Sequence, residues 1–235
     1  SNLGGLLAYN LAKEVSQDAY IADPVVVDEM SSVAKISGLN GIERRPIWHA
    51  LNQKAVAKKY AQKVGMDYEE INLIVAHLGG GISVGLHKMG RVTDVNNALD
   101  GDGPFSPERT GGLPVSDVYE LAYSGQYTLE QIKNLNYGFG GLVSYLNTND
   151  AEQVSEMISD GRVIAKRVMK AMVYQIAKEI GMKYSTNVSH AQVDASSKDS
   201  LSNLLNLTLD RHSSVEILVN GAGINSSKPF LDIEL

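Results

Sequence analysis

The stretch from Ile71 to Pro114 constrains the fold of this 235-residue chain more than any other part of it. Residues 71–76 are mostly apolar and rich in isoleucine, leucine and valine, which predicts a strand buried on both faces. His77 stands where that strand ends, and three consecutive glycines follow: Gly79, Gly80 and Gly81. A backbone without side chains can turn sharply and present its N–H groups to an anion at close range. The stretch therefore predicts a phosphate-binding turn, with a tight turn that binds no ligand as the alternative.

The residues after the glycines predict a β-hairpin. Ile82, Val84 and Leu86 alternate with small or polar residues, and residues 88–90 form a turn before a second strand at 91–95. This alternation predicts a hairpin with one buried face. A Rossmann fingerprint or a Walker loop requires a helix after its glycines, and the Lys-Ser/Thr pair of a Walker loop is missing. The pattern favours the actin-like arrangement, in which phosphates lie between β-hairpin turns of two similar domains.

Residues 94–113 predict a long loop with a functional role. The segment is rich in glycine and acidic residues, contains two prolines, and has Arg109 as its one basic residue. Few apolar side chains are available to anchor it in a core. Long loops of this kind are usually functional or disordered.

Four motifs occur in order along the chain: DPVVVDEM, HALNQKAVAKKYA, HLGGGISVG and DVNNALDGDGPFSPERTGGLP. Together they closely resemble the butyrate kinases, a branch of the acetate kinase group of carboxylate kinases. The resemblance is continuous from Ser1 to about Met182. It implies the α/β, actin-like ATPase (ribonuclease H-like) fold, here as the C-terminal domain with part of the first domain missing. It also implies ATP, Mg²⁺, a small carboxylate substrate, and a homo-oligomer in the full-length parent.

The resemblance also implies roles for individual residues. It places the active-site arginine at Arg109, a histidine that holds the transferring phosphoryl group at His49, and an acidic residue near the metal and that histidine at Asp23. The residues that the resemblance implies to contact the nucleotide or its phosphates are these: His77, Gly79, Gly80, Gly81, Asn149 and Asp150.

Each of these residues also has a purely structural interpretation. Arg109 could pair with a neighbouring acidic residue, and His49 could be a satisfied core histidine. Asp23 precedes a proline and could simply form a turn, or act as the base of a sugar kinase. Asp150 could be an ordinary helix N-cap. His87, His190 and His212 match no motif, and we expect them on the surface.

A carboxylate acceptor changes what the site must supply. With a pKa near ~4, a carboxylic acid is already ionised at neutral pH and needs no general base. Two anions must instead meet in line, so the requirement is charge neutralisation. Arg109 and His49 are the candidates for that role.

Composition excludes several classes of protein and site. The net charge is −6 and the pI about 5.4, which argues against a nucleic-acid or anionic membrane partner. There are no cysteines, hence no disulfide, thiol nucleophile or cysteine-bound zinc. No apolar run is long enough for a membrane span and no signal-peptide pattern opens the chain, which predicts a cytoplasmic protein. The chain starts at Ser1, and with the resemblance this predicts a fragment that lacks its N-terminal domain.

Hydrophobic periodicity predicts the remaining elements. We expect an opening amphipathic helix, a short strand at 19–22 that ends at Asp23, and a helix at 45–64. The inner stripe of that helix is predicted to contain Trp48, Leu51, Ala55 and Tyr60, with its lysines, Lys54 among them, outward. Further helices are predicted at 116–124, 128–134, 150–158 and 160–181, with capping boxes at Thr128 and Asp150.

Residues 183–235 form a divergent tail in which we find no resemblance to the kinases. Residues 215–223 predict a strand and a glycine-rich turn. This turn could be the adenosine-side turn after an insertion, an imitation of the phosphate hairpin that opens the family, or a divergent or mis-joined end.

These observations predict a butyrate kinase-type phosphotransferase that converts ATP and butyrate or a branched short-chain fatty acid into an acyl phosphate and ADP. A catalytically incompetent fragment of such an enzyme is the first alternative, because a cleft enzyme needs both of its walls. An acetate kinase, or a sugar or polyol kinase of the same superfamily, is the next.

Overall fold

The computed structural model describes residues 3–184 and 217–220, and of 183–184 and 217–220 it describes the backbone alone. A four-stranded mixed sheet organises these residues. Its strands are β1 (Asn72–Leu78), β2 (Ile82–Lys88), β3 (Arg91–Val95) and β4 (Ile217–Asn220). The order across the sheet is β3-β2-β1-β4. β1 pairs antiparallel with β2 and parallel with β4, and β2 pairs antiparallel with β3.

β1 confirms the prediction of a strand buried on both faces, since Leu73, Ile74, Val75 and Ala76 are all at most 2 % exposed. β4 lies within residues 215–223, where the sequence predicts a strand. The predicted glycine-rich turn after it, together with His190 and His212, lies outside the described residues. The division of the chain at residues 182 and 183 stays a prediction.

Helices cover both faces of the sheet. On one face α8 (Val163–Tyr184) packs against β1 and β2, and α6 (Gly141–Leu146) and α7 (Ala151–Ser159) pack against α8. Ile74, Ile82 and Val84 share a core cluster there with residues of α8. On the other face α3 (Ala50–Lys63) packs against Leu73 and Val75. Because successive residues of a strand point to opposite faces, β1 supplies both cores.

The predicted periodicity of α8 is confirmed in its interior. Val168, Met172, Ile176 and Ile180 are buried at the predicted four-residue spacing, and Ala165, outside that series, is buried as well. Ile164, at the start of the same series, is 49 % exposed because it lies in the first turn, beyond the edge of the core.

The predicted inner stripe of α3 is wrong at Leu51 and Ala55, which are exposed, while Tyr60 packs against the core and Lys54, predicted outward, is buried. The helix begins at Ala50, so Trp48 is buried just before it, and Leu51 is 57 % exposed. The buried residues of the helix are Ala50, Gln53, Lys54, Ala57 and Ala61. Two of them, Gln53 and Lys54, are polar. Polar side chains can be buried when they are hydrogen-bonded or paired, and tertiary partners of this kind override the hydrophobic pattern.

The hairpin is buried on both faces rather than on one. Ile82 and Val84 face the α8 side, and Ser83 and His87, each 0 % exposed, face the α3 side. The predicted surface position of His87 is therefore wrong. His87 Nδ1 accepts from the Tyr68 hydroxyl and its Nε2 donates to Gln53 Oε1, so both ring nitrogens have partners, which permits its burial.

The smaller elements lie around this core. They are α1 (Leu3–Glu14), α2 (Ser32–Lys35), a 3₁₀ turn (Tyr68–Glu70), α4 (Val115–Tyr123) and α5 (Leu129–Asn136). The capping box at Thr128 is confirmed, because its side chain accepts from the Gln131 backbone and the Gln131 side chain accepts in return. The strand predicted at 19–22 is absent, since Asp23 has a positive φ of 40° and the preceding Ile21 is 61 % exposed. None of the described helices has the length and apolar character to cross a membrane.

Candidate active site

The three glycines form the turn between β1 and β2, as the sequence predicts. The Gly79 N–H donates to the Gly81 carbonyl oxygen at 3.2 Å. From the loop after β3, the Ser106 hydroxyl donates to the Gly80 carbonyl at 2.5 Å. The turn is thus held from within and from the neighbouring loop.

Arg109 reaches this turn. Its Nη1 donates to the Ala98 carbonyl at 2.5 Å, and the guanidinium occupies the space into which a side chain at Gly81 would project. The acidic neighbours that the structural interpretation requires have other partners. Asp102 pairs with Arg44 at 3.3 Å, and Glu108 accepts a hydrogen bond from Asn149. In the described part of the chain Arg109 forms no ion pair, so its charge is available to a bound anion.

His49 and His77 come together although 28 positions separate them in sequence. Their rings stack with centroids 3.7 Å apart and planes 13° apart. His49 precedes α3 and its Nδ1 lies 2.8 Å from Ser83 Oγ. His77 is the penultimate residue of β1, its Nδ1 lies 3.0 Å from Asn52 Oδ1, and its Nε2 lies beside Gly79.

Both imidazoles are neutral at pH 7. Burial, reinforced by the nearby His77 and by the positive charge of Arg109, lowers the pKa of His49 to about 4. Burial also lowers the pKa of His77. Loss of a hydration shell disfavours the charged form of a histidine, and a neighbouring cation acts in the same direction. The site therefore offers one permanent cation and two neutral rings.

Asn149 and Asp150 approach the turn from the start of α7. Asn149 Nδ2 donates to Glu108 Oε2 at 3.2 Å, and the other oxygen of Glu108 lies against Gly80. Asp150 is the N-cap of α7 and accepts from the backbone N–H groups of Glu152 and Gln153. The N-cap is confirmed, and a nucleotide contact of this pair stays a prediction.

Asp23 lies apart from the other predicted residues. Its carboxylate is 3.3 Å from Lys54 Nζ, which is also 2.5 Å from Glu29 Oε1. Among the described residues Asp23 has no hydrogen bond or ion pair with His49, His77 or Arg109. Burial acts to lower the pKa of Lys54, but its hydrogen bond to Glu29 and the two negative charges outweigh burial and raise it.

The described residues do not form a metal site by themselves. No group of three or more histidine, aspartate or glutamate side chains in this part of the chain could hold a metal ion. Asp23 supplies a single carboxylate, and Lys54 already neutralises it. The role of Asp23 as a metal ligand stays a prediction.

Sequence reasoning did not assign roles to several residues that build the site: Asn52, Gln53, Ser83, Ser106 and Glu108. They lie within the motifs HALNQ, HLGGGISVG and SPERTGG, so the resemblance covers their positions without implying their roles. Their roles depend on which strand faces α3 and which loop covers the glycines, and only the tertiary structure shows that.

Comparison with known proteins gives two different results. A family model described as short chain dehydrogenase matches residues 151–235, less than half of the chain. Solved kinase structures match a larger part. An acetate kinase from Porphyromonas gingivalis has 21 % identity and a TM-score of 0.62, with 69 % of this chain and 43 % of that chain covered.

Two further solved structures agree. A propionate kinase from Francisella tularensis has 21 % identity and a TM-score of 0.65, with 93 % of this chain and 65 % of that chain covered. An acetate kinase from Entamoeba histolytica has 19 % identity and a TM-score of 0.62, with 74 % and 48 % covered. The chain thus spans between 43 % and 65 % of these relatives. It has the α/β, actin-like ATPase fold of the acetate and propionate kinase structures.

Proposed function

We propose that this chain carries part of the active site of a carboxylate kinase, which transfers a phosphoryl group from ATP to a short-chain fatty acid. The observation that carries the proposal is the convergence of Arg109, His49 and His77 at the glycine turn. The fold shared with acetate and propionate kinases supports it.

The chemistry of the site suits a carboxylate acceptor. The acceptor is ionised at neutral pH, so the enzyme needs no base, and Asp23, which would be the base of a sugar kinase, is paired with Lys54. The Arg109 guanidinium would neutralise charge between the two anions, and the backbone N–H groups of the turn would bind phosphate oxygens. The pairing of Asp23 with Lys54 disfavours a sugar or polyol kinase.

Butyrate or a branched-chain acid is the proposed acceptor, on the strength of the four motifs. Acetate or propionate is supported equally by the names of the structural relatives. One methylene in a pocket changes the free energy by only ~1–3 kcal/mol, so an enzyme of this kind is expected to use several of these acids with graded efficiency. The rates of acyl-phosphate formation with acetate, propionate, butyrate and isobutyrate would show which acid is the preferred acceptor.

Mg²⁺ belongs to the proposal through the motif resemblance alone. Protein sites usually hold Mg²⁺ with one or two carboxylates and the phosphates of the substrate. Here the one predicted carboxylate is already paired, so no step of the proposed reaction is assigned to the ion.

The test is acyl-phosphate formation, trapped as the hydroxamate, with ATP and butyrate. We expect Arg109→Ala to reduce it by about 10³-fold or more, as loss of an arginine that stabilises a transferring phosphoryl group does elsewhere. Arg162→Ala, an exposed arginine at the start of α8, is the matched control and should leave turnover unchanged. Turnover that is above background and equal in the Arg109 variant and the unchanged protein would refute the proposed role.

The chain spans about half of its structural relatives, so the alternative of an incompetent fragment has its own outcome. A chain that binds ATP but forms no acyl phosphate above background is such a fragment. Binding can be followed by the fluorescence of Trp48, the single tryptophan, which directly precedes His49.

A second candidate function rests on the match of residues 151–235 to the short chain dehydrogenase model. A dehydrogenase transfers hydride to or from a dinucleotide, and the glycine fingerprint G-x-G-x-x-G of many dinucleotide sites does not occur in these residues. Titration with NADH, followed by the fluorescence of the nicotinamide, tests it. Saturable binding that ATP does not displace would support a separate dinucleotide site in the last part of the chain.

A further inference from the structure

A continuous series of buried hydrogen bonds ends at His49. Tyr68 Oη lies 2.7 Å from His87 Nδ1, and His87 Nε2 lies 3.0 Å from Gln53 Oε1. Gln53 Nε2 then lies 2.8 Å from Ser83 Oγ, which is 2.8 Å from His49 Nδ1. We propose that this relay holds His49 in the tautomer with its proton on Nε2, so that the ring presents an N–H donor to the ligand of the glycine turn.

The direction of the relay is set at Gln53. Its Nε2 lies 3.0 Å from the Ser83 carbonyl oxygen, a group that can only accept a hydrogen bond. The opposite orientation of the amide would place two carbonyl oxygens at that distance without a proton between them. Gln53 is 0 % exposed, so no water relieves such a contact. The nitrogen of the amide therefore faces Ser83 and its oxygen faces His87.

This orientation of the Gln53 amide determines the directions of the hydrogen bonds at His87 and Tyr68. Gln53 Oε1 is an acceptor, so His87 Nε2 carries the proton and donates to it. Burial lowers the pKa of His87 to about 4, so the ring is neutral and its Nδ1 has a lone pair. Tyr68 donates its hydroxyl proton to that lone pair. Every group on this side has a partner of the right kind.

The hydrogen bonds of the Ser83 hydroxyl determine the tautomer of His49. Gln53 Nε2 donates its second proton to Ser83 Oγ, and the Ser83 hydroxyl retains its own proton to donate. The acceptor within reach is His49 Nδ1 at 2.8 Å. A neutral imidazole that accepts at Nδ1 carries its proton at Nε2.

The sheet leaves room for the relay at a glycine. A side chain at Gly85, in the middle of β2, would collide with Gln53 Oε1 and come 3.2 Å from His87 Nε2. Glycine inside a strand weakens it and often marks a close approach by another group. Here the group that approaches is the amide of the relay.

The free edge of the His49 ring is accessible. Among the described residues no hydrogen-bond partner exists for its Nε2, and no buried side-chain nitrogen or oxygen lacks a partner. Its Nε2 is therefore in contact with solvent. The ring is stacked on His77, whose own Nε2 lies beside Gly79.

The consequence for catalysis rests on the proposed function. Phosphoryl oxygens accept hydrogen bonds, so a neutral histidine assists them only if it presents an N–H group. The other tautomer would present a lone pair to an anion. Gln53, Ser83, His87 and Tyr68 are thus positioning residues that act through His49.

The tautomer is directly measurable by NMR of the 235-residue chain with ¹⁵N-labelled histidine at pH 7. The His49 signals are assigned by their loss in His49→Asn. We expect Nε2 as the protonated nitrogen and Nδ1 as the unprotonated one. A proton on Nδ1, or a doubly protonated ring, would overturn the inference.

Ser83→Ala removes the donor to Nδ1, and we expect the His49 signals to move toward a mixture of the two tautomers. Ser83→Thr keeps the hydroxyl and should restore the wild-type signals. Ser106→Ala is the matched control, because Ser106 is equally buried, at 1 % exposed, and its hydroxyl bonds to Gly80 instead. Wild-type signals in Ser83→Ala, or equal shifts in Ser106→Ala, would contradict the relay.

If Ser83→Ala does not fold, Gln53→Met removes the donor to Ser83 Oγ with a side chain of similar size, and a mixture of tautomers is again expected. An unchanged tautomer in that variant would overturn the inference. No substrate is present in these measurements. An absence of acyl-phosphate formation therefore does not contradict the inferred tautomer of His49. A different tautomer does not contradict phosphoryl transfer, which the hydroxamate assay tests separately.

Discussion

Gly81 is the residue at which the glycine turn and the arginine meet most closely. A side chain there would meet the terminal atoms of Arg109, which are flexible and can move. We expect Gly81→Ala to displace the guanidinium and weaken ATP binding about tenfold, or ~1.4 kcal/mol. Trp48 fluorescence measures the affinity. Gly38→Ala, at a position with open space around it, is the control, and equal affinities for the two variants would refute the contact.

The glycines also show what can be deduced about single residues from sequence. Gly79, Gly80 and Gly81 are predicted as a turn because a backbone without side chains can turn sharply and lie close to other groups. His87 was predicted at the surface and is 0 % exposed. A histidine takes either position, and its partners Tyr68 and Gln53 are distant in sequence.

Among the elements, α3 makes polar contacts both with β2 and with residues 23–29. Gln53 and Lys54 are adjacent on it, and one contacts β2 while the other pairs with Asp23 and Glu29. The Lys54 and Glu29 side chains are 11 % and 17 % exposed, so the pair is largely shielded from water.

Removal of Lys54 leaves the Glu29 carboxylate without its main partner. Burial acts to raise the pKa of Glu29, but Lys54 and the Val92 backbone N–H outweigh burial and lower it. We expect Lys54→Met to reduce the free energy of unfolding by about 2–3 kcal/mol, somewhat less than for a fully buried pair. Urea titration measures the change. Lys59→Met, exposed on the same helix, should cost almost nothing, and a similar cost for both would show that the ion pair does not stabilise α3.

The elements themselves were largely predictable where their signals are local. The strand of β1, the capping box of α5 and the four-residue spacing of α8 depend on residues near one another in sequence. The start and the buried stripe of α3 were not predictable. Its polar residues are buried only because β2 and residues 23–29 supply partners.

At the scale of the whole molecule, neutral buried histidines make the stability depend on pH. His49 and His87 have pKa values of about 4 in the fold, against an ordinary value near 6.5. Between these values the unfolded chain binds more protons than the folded one, so stability is full above about pH 6.5 and falls as the pH drops toward 4. Each histidine contributes a slope of up to about 1.4 kcal/mol per pH unit.

Urea unfolding between pH 7 and pH 4 tests this dependence. His87→Gln removes one of the two groups and should make the slope shallower, whatever its effect on stability at pH 7. A slope equal to that of the wild type would mean that His87 is not held neutral by the fold.

Turn chemistry and hydrophobic period are local properties, so the β-strand with its glycine turn, the loop that carries Arg109 and the periodic helix on the sheet can be deduced from the amino-acid sequence alone. The stacking of His49 on His77, the position of Arg109 at Gly81 and the link from His49 through Ser83 to a buried relay become visible only in the folded chain. Those contacts join residues dozens of positions apart. Packing of α3 and the loop against the sheet brings them together, and no short-range pattern encodes that packing.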